Sequence, residues 1–430
     1  MQLYDSLQKN FKQKVGIFDL FTLGLLFFIW GFLTQMNDIL LPRLYEFGLS
    51  YSEALMLNFT FFTTYLIISY PAAKFIDKFG YKNGIMFGLL LAAVGCVGFY
   101  YGMGDMHFIT LLVSLFVVAC GITFLQIAGN GYVVLQSTPR KAASNLTFAQ
   151  SLNSLGRIVT IIFGAYLIYI LSDISQEGLA LLSPTEYIKA ESTAFKTPYL
   201  LMAGLIVVTG VLFYTSKLPE YKTEGMPVLV KMDAKEINNL FKIKHLLLAS
   251  IAIFVYVGAE VSIGSNLVKY LTLPSIGGGI IDERKAIEML QYYWGSHMIG
   301  RLIGGFVMRD LSPRKVVAAF AGAAAIFTLV SIFSTGNIAV VSIIAVGFFN
   351  SILFPAIFTL GINGLGHFAE EGSAVLISSI VGGAIIPLFV ITIADFVGLQ
   401  YAFLVVTACY CYIVYFGFVG SGFEKTRPSS

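Results

Sequence analysis

A carboxylate stands inside the first long apolar run of this chain, at Asp38, which follows Asn37 and precedes Pro42. Burying a charge in a bilayer costs roughly 2.5–3.5 kcal/mol on insertion scales, so an acid at such a position normally faces a cavity and either titrates or pairs with another group. Asp38 is therefore the first candidate functional residue. The alternative is that Asp38 lies near the outer end of its helix and contacts interfacial water.

Side-chain amides recur at helical spacing farther along the chain. Gln126 and Asn130 are four residues apart, while Gln150, Asn153 and Arg157 step by three and then by four, so each set shares one helix face. Amides offer donors and acceptors together, which suits the hydroxyl groups of a neutral polyol such as a sugar. The alternative is that these amides form interhelical hydrogen bonds, each worth about 0.6–2 kcal/mol in membranes.

The second half of the chain also places charged groups within apolar runs. Glu260 lies in the middle of such a run and is surrounded by small residues. His297 and Arg301 are four residues apart in the following run, so they share a helix face. This pair fits either a proton relay or a hydrogen bond that packs two helices together.

A further amide, Asn350, lies in an apolar run near the aromatic residues Phe349 and Phe354. Aromatic rings beside an amide suit a sugar, because the rings stack on the sugar while the amide binds its hydroxyls. Aromatic packing between helices is the alternative for both phenylalanines.

The composition restricts the class of protein. The chain has 430 residues, of which 57% are hydrophobic and 12% charged, and its mean hydropathy is +0.81. Such a chain is expected to be a multi-pass protein of the lipid bilayer. Its net charge of +3 is small and scattered, which argues against nucleic acid as a partner. The four cysteines lack the spacing of a metal site, so neither zinc nor a disulfide framework is expected.

The apolar runs predict an all-α fold with twelve transmembrane helices, divided six and six. A charged linker at 217–245 separates an N-terminal bundle, 1–216, from a C-terminal bundle, 246–430. Most basic residues between the runs fall on the side of the N-terminal tail, so both termini are expected to be cytoplasmic. The runs are 16–42, 53–76, 83–102, 107–136, 146–172, 197–216, 246–272, 285–308, 314–334, 337–363, 371–396 and 400–420.

A charged pattern at the cytoplasmic end of the second span recurs after the eighth. The first copy contains Asp77, Lys78 and Lys82, and the second contains Arg309 and Asp310. Such clusters can hold neighbouring helices together while the inner face is closed. A surface cluster with no gating role is the alternative, since exposed pairs contribute little stability. Recurrence in both halves favours a cytoplasmic gate and a duplicated transporter.

Several stretches together resemble the fucose-galactose-glucose symporter family of the major facilitator superfamily, over essentially all twelve predicted helices. The resemblance implies two six-helix bundles around a central cavity, which import a hexose with a cation by alternating access across the inner (plasma) membrane. The stretches are Asn37 to Pro42, Gln126 to Val133, Gln150 to Gly156, Tyr256 to Ser265 and Phe348 to Gly366, with the loop signature at 73–82.

The resemblance also implies residue roles. Asp38 matches the acid of proton coupling, and Gln126 stands where the fucose permease has a second acid. Glutamine at this position, like Glu260, is similar to the glucose/galactose branch. We therefore expect Asp38 and Glu260 to couple the cation, H⁺ or Na⁺. The residues expected to bind the substrate are Asn37, Gln126, Asn130, Gln150, Asn153, Arg157 and Asn350.

Two residues depart from the family pattern. Gly131 replaces a proline that usually follows the asparagine, which is expected to alter the fourth helix locally. Arg157 stands where a small or neutral residue is usual, and a guanidinium does not readily lose its proton. If Arg157 faces the cavity, it pairs with Asp38 or Glu260, or it binds an anionic substrate.

The leading hypothesis is a cation-coupled importer of a glucose- or galactose-type hexose that functions as a monomer and uses no cofactor besides the coupling ion. The second is a carrier of the same architecture for an anionic or other small solute, held by Arg157. The third is a receptor that binds a nutrient without moving it. An enzyme is not expected, because the chain shows no catalytic triad, metal-spaced cluster or phosphate-binding loop.

Overall fold

The computed structural model describes residues 17–40, 50–105, 107–138, 140–171, 183–218, 243–277 and 281–421. The basic N-terminal tail, Pro42 and most of the predicted linker lie outside these residues. Twelve long helical segments lie within them, as the apolar runs predict.

The first six helices come from the N-terminal half of the chain. They are α1 Ile17–Leu40, α2 Tyr51–Phe79, α3 Tyr81–Asp105, α4 Phe108–Gln136, α5 Ala142–Leu171 and α6 Pro184–Thr215. A Gly80 with φ of 90° closes α2 and allows α3 to begin at once, which is the tight turn expected at the charged pattern. The fourth helix is continuous through Gly131, where the Tyr81 ring packs against the backbone.

The second six helices follow the same order. They are α7 Lys244–Leu271, α8 Glu283–Asp310, α9 Pro313–Phe333, α10 Gly336–Ile362, α11 Ala369–Val397 and α12 Leu399–Gly420. The α10 helix is interrupted after Asn350 and resumes at Leu353, while α11 contains a 3₁₀ turn at Ser379–Val381.

Eight of these helices are long and apolar enough to cross a membrane, judged on the described residues alone: α3, α4, the Lys196–Thr215 part of α6, α7, α9, α10, α11 and α12. The apolar run predicted at 197–216 agrees with the candidate span Lys196–Thr215, and the α6 helix extends beyond this span to Pro184. Proline at the first helical position is favourable. A boundary taken from the apolar run alone therefore misses the polar first turns of α6.

The helices group into two compact units. Of the described residues, unit 1 contains those up to 136 and those from 149 to 218, and unit 2 contains those from 137 to 148 and those from 243 to 421. The short stretch 137–148, which includes the start of α5, groups with unit 2 through contacts such as the hydrogen bond from the Ser144 hydroxyl to the Gly305 carbonyl, 2.6 Å.

Glycines bring two pairs of helices into backbone contact beside the polar residues. In unit 1, a Cβ at Gly31 of α1 would overlap the backbone of Asn153 in α5, and one at Gly156 would overlap the backbone of Phe28. In unit 2, a Cβ at Gly382 of α11 would overlap the backbone of Phe254 in α7. Small residues permit such close helix approach in membranes. They hold α1 against α5 and α7 against α11.

Candidate functional site

Asp38 lies two residues before the end of α1 and is exposed, whereas Gln35 and Asn37 beside it are buried. The carboxylate is close enough to the hydroxyls of Tyr65 in α2 and Tyr199 in α6 to act on both electrostatically. Both tyrosines are buried. Asp38 is therefore an exposed acid whose neighbours include buried hydroxyls on two other helices.

Three candidate residues converge on the Tyr65 hydroxyl. The Gln126 amide nitrogen donates to this hydroxyl at 3.2 Å. The charges of Asp38 and Arg157 both act on it, with opposite sign. Arg157 is half-buried in α5. We call Asp38, Tyr65, Gln126 and Arg157 the Asp38 cluster; Tyr65 was not singled out from the sequence, because a tyrosine in an apolar run is usually a packing residue.

The remaining amides of unit 1 connect helices. Gln150 of α5 donates from its amide nitrogen to the Asn130 side-chain oxygen of α4 at 2.9 Å. Asn153 donates to the Phe27 carbonyl of α1 at 3.4 Å. Some of the donors and acceptors of these amides are therefore used in interhelical hydrogen bonds, which is the alternative considered from the sequence.

Several buried amide atoms in unit 1 nevertheless have no hydrogen-bond partner among the described residues. They are the side-chain oxygens of Gln35 and Gln126 and the side-chain nitrogens of Asn37 and Asn130. Leaving a buried donor or acceptor unsatisfied costs about 1–3 kcal/mol. Two donors and two acceptors of this kind provide complementary partners for the hydroxyls of a polyol.

Unit 2 contains a second cluster of charged and polar residues. Nε2 of His297 in α8 lies 3.2 Å from Oε1 of Glu260 in α7, and the two side chains are 0% and 9% exposed. Arg301, one turn farther along α8, is also buried. The charges of Glu260 and Arg301 both act on the Tyr256 hydroxyl. We call Glu260, Tyr256, His297 and Arg301 the Glu260 cluster.

Asn350 lies at the interruption of α10, next to the Glu260 cluster. Its amide nitrogen donates to the Tyr293 hydroxyl at 3.0 Å. Tyr256 donates its hydroxyl proton to the Asn350 backbone carbonyl at 3.2 Å. The Asn350 side-chain oxygen is buried and has no hydrogen-bond partner among the described residues. Asn350 therefore resembles the unit 1 amides in offering one unused polar atom.

The two phenylalanines near Asn350 pack against other rings. Phe349 lies 5.2 Å from Phe327 and 5.8 Å from Phe320 of α9, between ring centroids. Phe354 lies 6.0 Å from Phe358, one turn farther along α10. These contacts correspond to the aromatic packing considered as the alternative to sugar stacking.

The predicted gate residues lie at helix ends. Asp77, Lys78 and Asp310 are exposed. Lys82 donates to the Ser216 carbonyl at the end of α6, at 2.8 Å. Arg309 places its guanidinium 5.1 Å and 4.8 Å from the ring centroids of Phe148 and Phe306. Each copy of the charged pattern is thus anchored within its own unit.

Metal ligation finds no support in the described part of the chain, where no group of three or more His, Cys, Asp or Glu side chains could hold an ion. The cysteines Cys96, Cys120, Cys409 and Cys411 are all free thiols.

The amino-acid sequence matches a known protein family. The family model of the major facilitator superfamily matches residues 23–376. The chain belongs to the major facilitator superfamily. The predicted family and helical fold are thereby confirmed, and the protein is a multi-pass membrane protein.

Individual relatives in this superfamily are also similar to the chain over nearly its whole length. A glucose/galactose transporter of Brucella abortus is 42% identical, covering 97% of this chain and 96% of the relative. A protein of Helicobacter pylori described as a putative glucose/galactose transporter is 37% identical, covering 93% and 96%. A crystal structure of the Escherichia coli fucose:proton symporter is 29% identical with a TM-score of 0.80, covering 93% of this chain and 98% of that one. These relatives are transporters and not enzymes, as predicted.

Proposed function

We propose that this protein imports a glucose- or galactose-type hexose together with a cation, H⁺ or Na⁺, by alternating access. The observation that supports this most directly is the set of buried amide atoms in unit 1 that have no hydrogen-bond partner among the described residues, together with the exposed acid Asp38. A polyol satisfies such atoms, and a cation neutralises such an acid. The Brucella abortus relative, described as a glucose/galactose transporter, supports the same cargo class.

Each polar group has a defined role in this proposal. Asp38 takes the coupling ion, and Glu260 provides a second acid in unit 2. The cargo hydroxyls contact Asn37, Gln126, Asn130, Gln150, Asn153, Arg157 and Asn350. Coupling requires that ion and cargo together favour a state that neither favours alone. In this proposal the Tyr65 hydroxyl connects the ion site with the cargo site. It accepts a hydrogen bond from Gln126, a proposed cargo-binding amide, and it interacts electrostatically with Asp38.

The proposal extends to the inner face of the membrane. Both termini and the linker are cytoplasmic, and the charged pattern of Asp77, Lys78, Lys82, Arg309 and Asp310 forms the inner gate. The proposal also includes a location in the bacterial plasma membrane and function as a monomer.

Counterflow of radiolabelled glucose and galactose in proteoliposomes tests the cargo without any ion gradient. We expect exchange by the wild-type protein that an acidic sugar does not inhibit. Imposed proton and sodium gradients then identify the ion that drives accumulation. Absence of hexose exchange, and of hexose uptake under both gradients, would overturn the proposal.

The anionic-solute alternative is tested with Arg157→Ala in the same vesicles. If Arg157 neutralises Asp38 and contacts a cargo hydroxyl, the variant still exchanges hexose with a raised KM and gains no response to an acidic sugar. If the wild-type protein exchanges the acidic sugar and Arg157→Ala does not, Arg157 binds the cargo. Arg314→Ala is the matched control, since Arg314 hydrogen-bonds Ser421 at the end of α12 and belongs to neither cluster.

A further inference from the structure

The interruption of α10 leaves two consecutive carbonyls that accept hydrogen bonds from side chains on other helices. The Asn350 carbonyl accepts from the Tyr256 hydroxyl of α7 at 3.2 Å. The Ser351 carbonyl accepts from Nε of Arg301 in α8 at 3.1 Å. All four residues are buried. An unsatisfied carbonyl within a membrane is costly, so these bonds stabilise the interrupted geometry.

Proline explains why one of these carbonyls needs an external donor. In an α-helix, the carbonyl of residue i accepts from the N–H of residue i+4. The residue four positions after Ser351 is Pro355, which has no N–H. The residue four positions after Asn350 is Phe354, which has one. The Ser351 carbonyl therefore has no i+4 donor even if α10 continues as an α-helix, whereas the Asn350 carbonyl loses its i+4 donor only through the interruption.

We propose that Arg301 is a positioning residue whose Nε–H replaces the N–H that Pro355 lacks, and that this fixes the Asn350 amide for the cargo. Arg301 comes from α8, one turn from His297, so the interrupted helix is tied to the Glu260 cluster. The part of this inference that concerns cargo rests on the proposed function. The part that concerns Ser351 and Pro355 does not.

A double-mutant cycle on stability tests the hydrogen-bond replacement directly. Arg301→Gln, Pro355→Ala and the double variant are purified in detergent, and their melting temperatures are compared with that of the wild type. Pro355→Ala supplies an N–H to the Ser351 carbonyl. We expect Arg301→Gln to lower the melting temperature less than half as much in the Pro355→Ala background. The altered charge beside Glu260 is common to both backgrounds and cancels in the cycle.

Tyr256→Phe provides the matched control. It removes the donor to the neighbouring carbonyl, whose helical partner is not a proline. We expect Pro355→Ala to leave the effect of Tyr256→Phe unchanged. Equal rescue of both variants, or no rescue of Arg301→Gln, would overturn the inference. If Arg301→Gln does not fold, Arg301→Lys replaces it in the same cycle.

Transport by these variants tests the consequence for cargo. We expect Arg301→Lys to raise the KM of hexose counterflow severalfold with little change in maximal rate, and Pro355→Ala to reverse that rise. A loss of maximal rate with unchanged KM would contradict the positioning of Asn350. If the wild-type protein exchanges no hexose, the proposed function fails, and the stability cycle still decides whether Arg301 replaces the missing N–H.

Discussion

The two units use similar residues in different surroundings. Each unit has an acid and an arginine that both interact electrostatically with a buried tyrosine hydroxyl, that of Tyr65 in unit 1 and that of Tyr256 in unit 2. In unit 1, Asp38 is exposed and Arg157 is half-buried. In unit 2, Glu260, Arg301 and His297 are all buried. A solvent-accessible acid can exchange an ion at modest cost, whereas an enclosed acid depends on its fixed neighbours for compensation. Asp38 should therefore mainly affect coupling, and Glu260 should also affect stability.

The largest difference is expected in folding stability. Glu260→Gln removes the buried carboxylate that lies 3.2 Å from His297, and removing one partner of a buried pair costs about 3–5 kcal/mol when both partners are charged. Asp38→Asn should cost less than about 1 kcal/mol, because exposed charge pairs contribute little. Chemical denaturation in detergent measures both values. Similar decreases in the free energy of unfolding for the two variants would contradict the expectation that the buried acid contributes more to stability than the exposed one.

The next effect concerns accumulation against a gradient. Asp38→Asn removes the group proposed to take the ion, so gradient-driven uptake should fall by about 5–150-fold, the usual range of coupling between two sites. Hexose counterflow should persist, because exchange needs no net ion movement. Asp395→Asn is the control, as Asp395 is an exposed acid in α11 outside both clusters. Retention of full gradient-driven uptake by Asp38→Asn would exclude Asp38 as the coupling acid.

A smaller effect is expected for the amide that adjoins Asp38. Gln126→Leu removes the unused oxygen and the donor to Tyr65, so the apparent hexose affinity should fall by about 5–10-fold, corresponding to roughly one hydrogen bond. Equilibrium binding of labelled glucose to purified protein measures this. Asn145→Leu, an exposed amide at the start of α5, should leave affinity unchanged. Unchanged affinity in Gln126→Leu would remove this residue from the site.

The smallest effect is expected for an aromatic residue of unit 2. Phe349→Leu should lower the free energy of unfolding by about 1 kcal/mol through lost ring packing, and the KM for hexose should not change. Counterflow and denaturation of the same preparation compare the two quantities. A raised KM would show that Phe349 stacks on the cargo after all.

The sequence predicted the helices and showed which of them carry acids and amides. It did not predict which side chains these acids and amides contact. A charge or amide inside an apolar run, such as Glu260 or Asn130, is expensive and therefore conspicuous. Tyr65 and Tyr256 are not conspicuous, because an apolar run tolerates tyrosine and only the fold brings its hydroxyl beside an acid. The apolar run at 197–216 predicted the membrane span of α6. It did not predict the polar first turns of that helix, which begin at Pro184, because hydropathy identifies apolar segments and not helix ends. Arg301 was recognised, but its bond to Ser351 depends on an interruption of α10 that Pro355 alone does not specify.

The backbone contact between α1 and α5 sets a boundary for laboratory evolution of this carrier. At Gly31 and Gly156 no side chain fits, so any library that varies these positions will consist mostly of misfolded protein. Gln150 and Asn153 of the same helix are proposed to contact the cargo, and their amides also hydrogen-bond Asn130 and the Phe27 carbonyl. A search for new cargo preferences should therefore substitute residues 150 and 153 together. Gly31 and Gly156 should be retained, because the close contact that they allow between α1 and α5 fixes the positions of those two side chains.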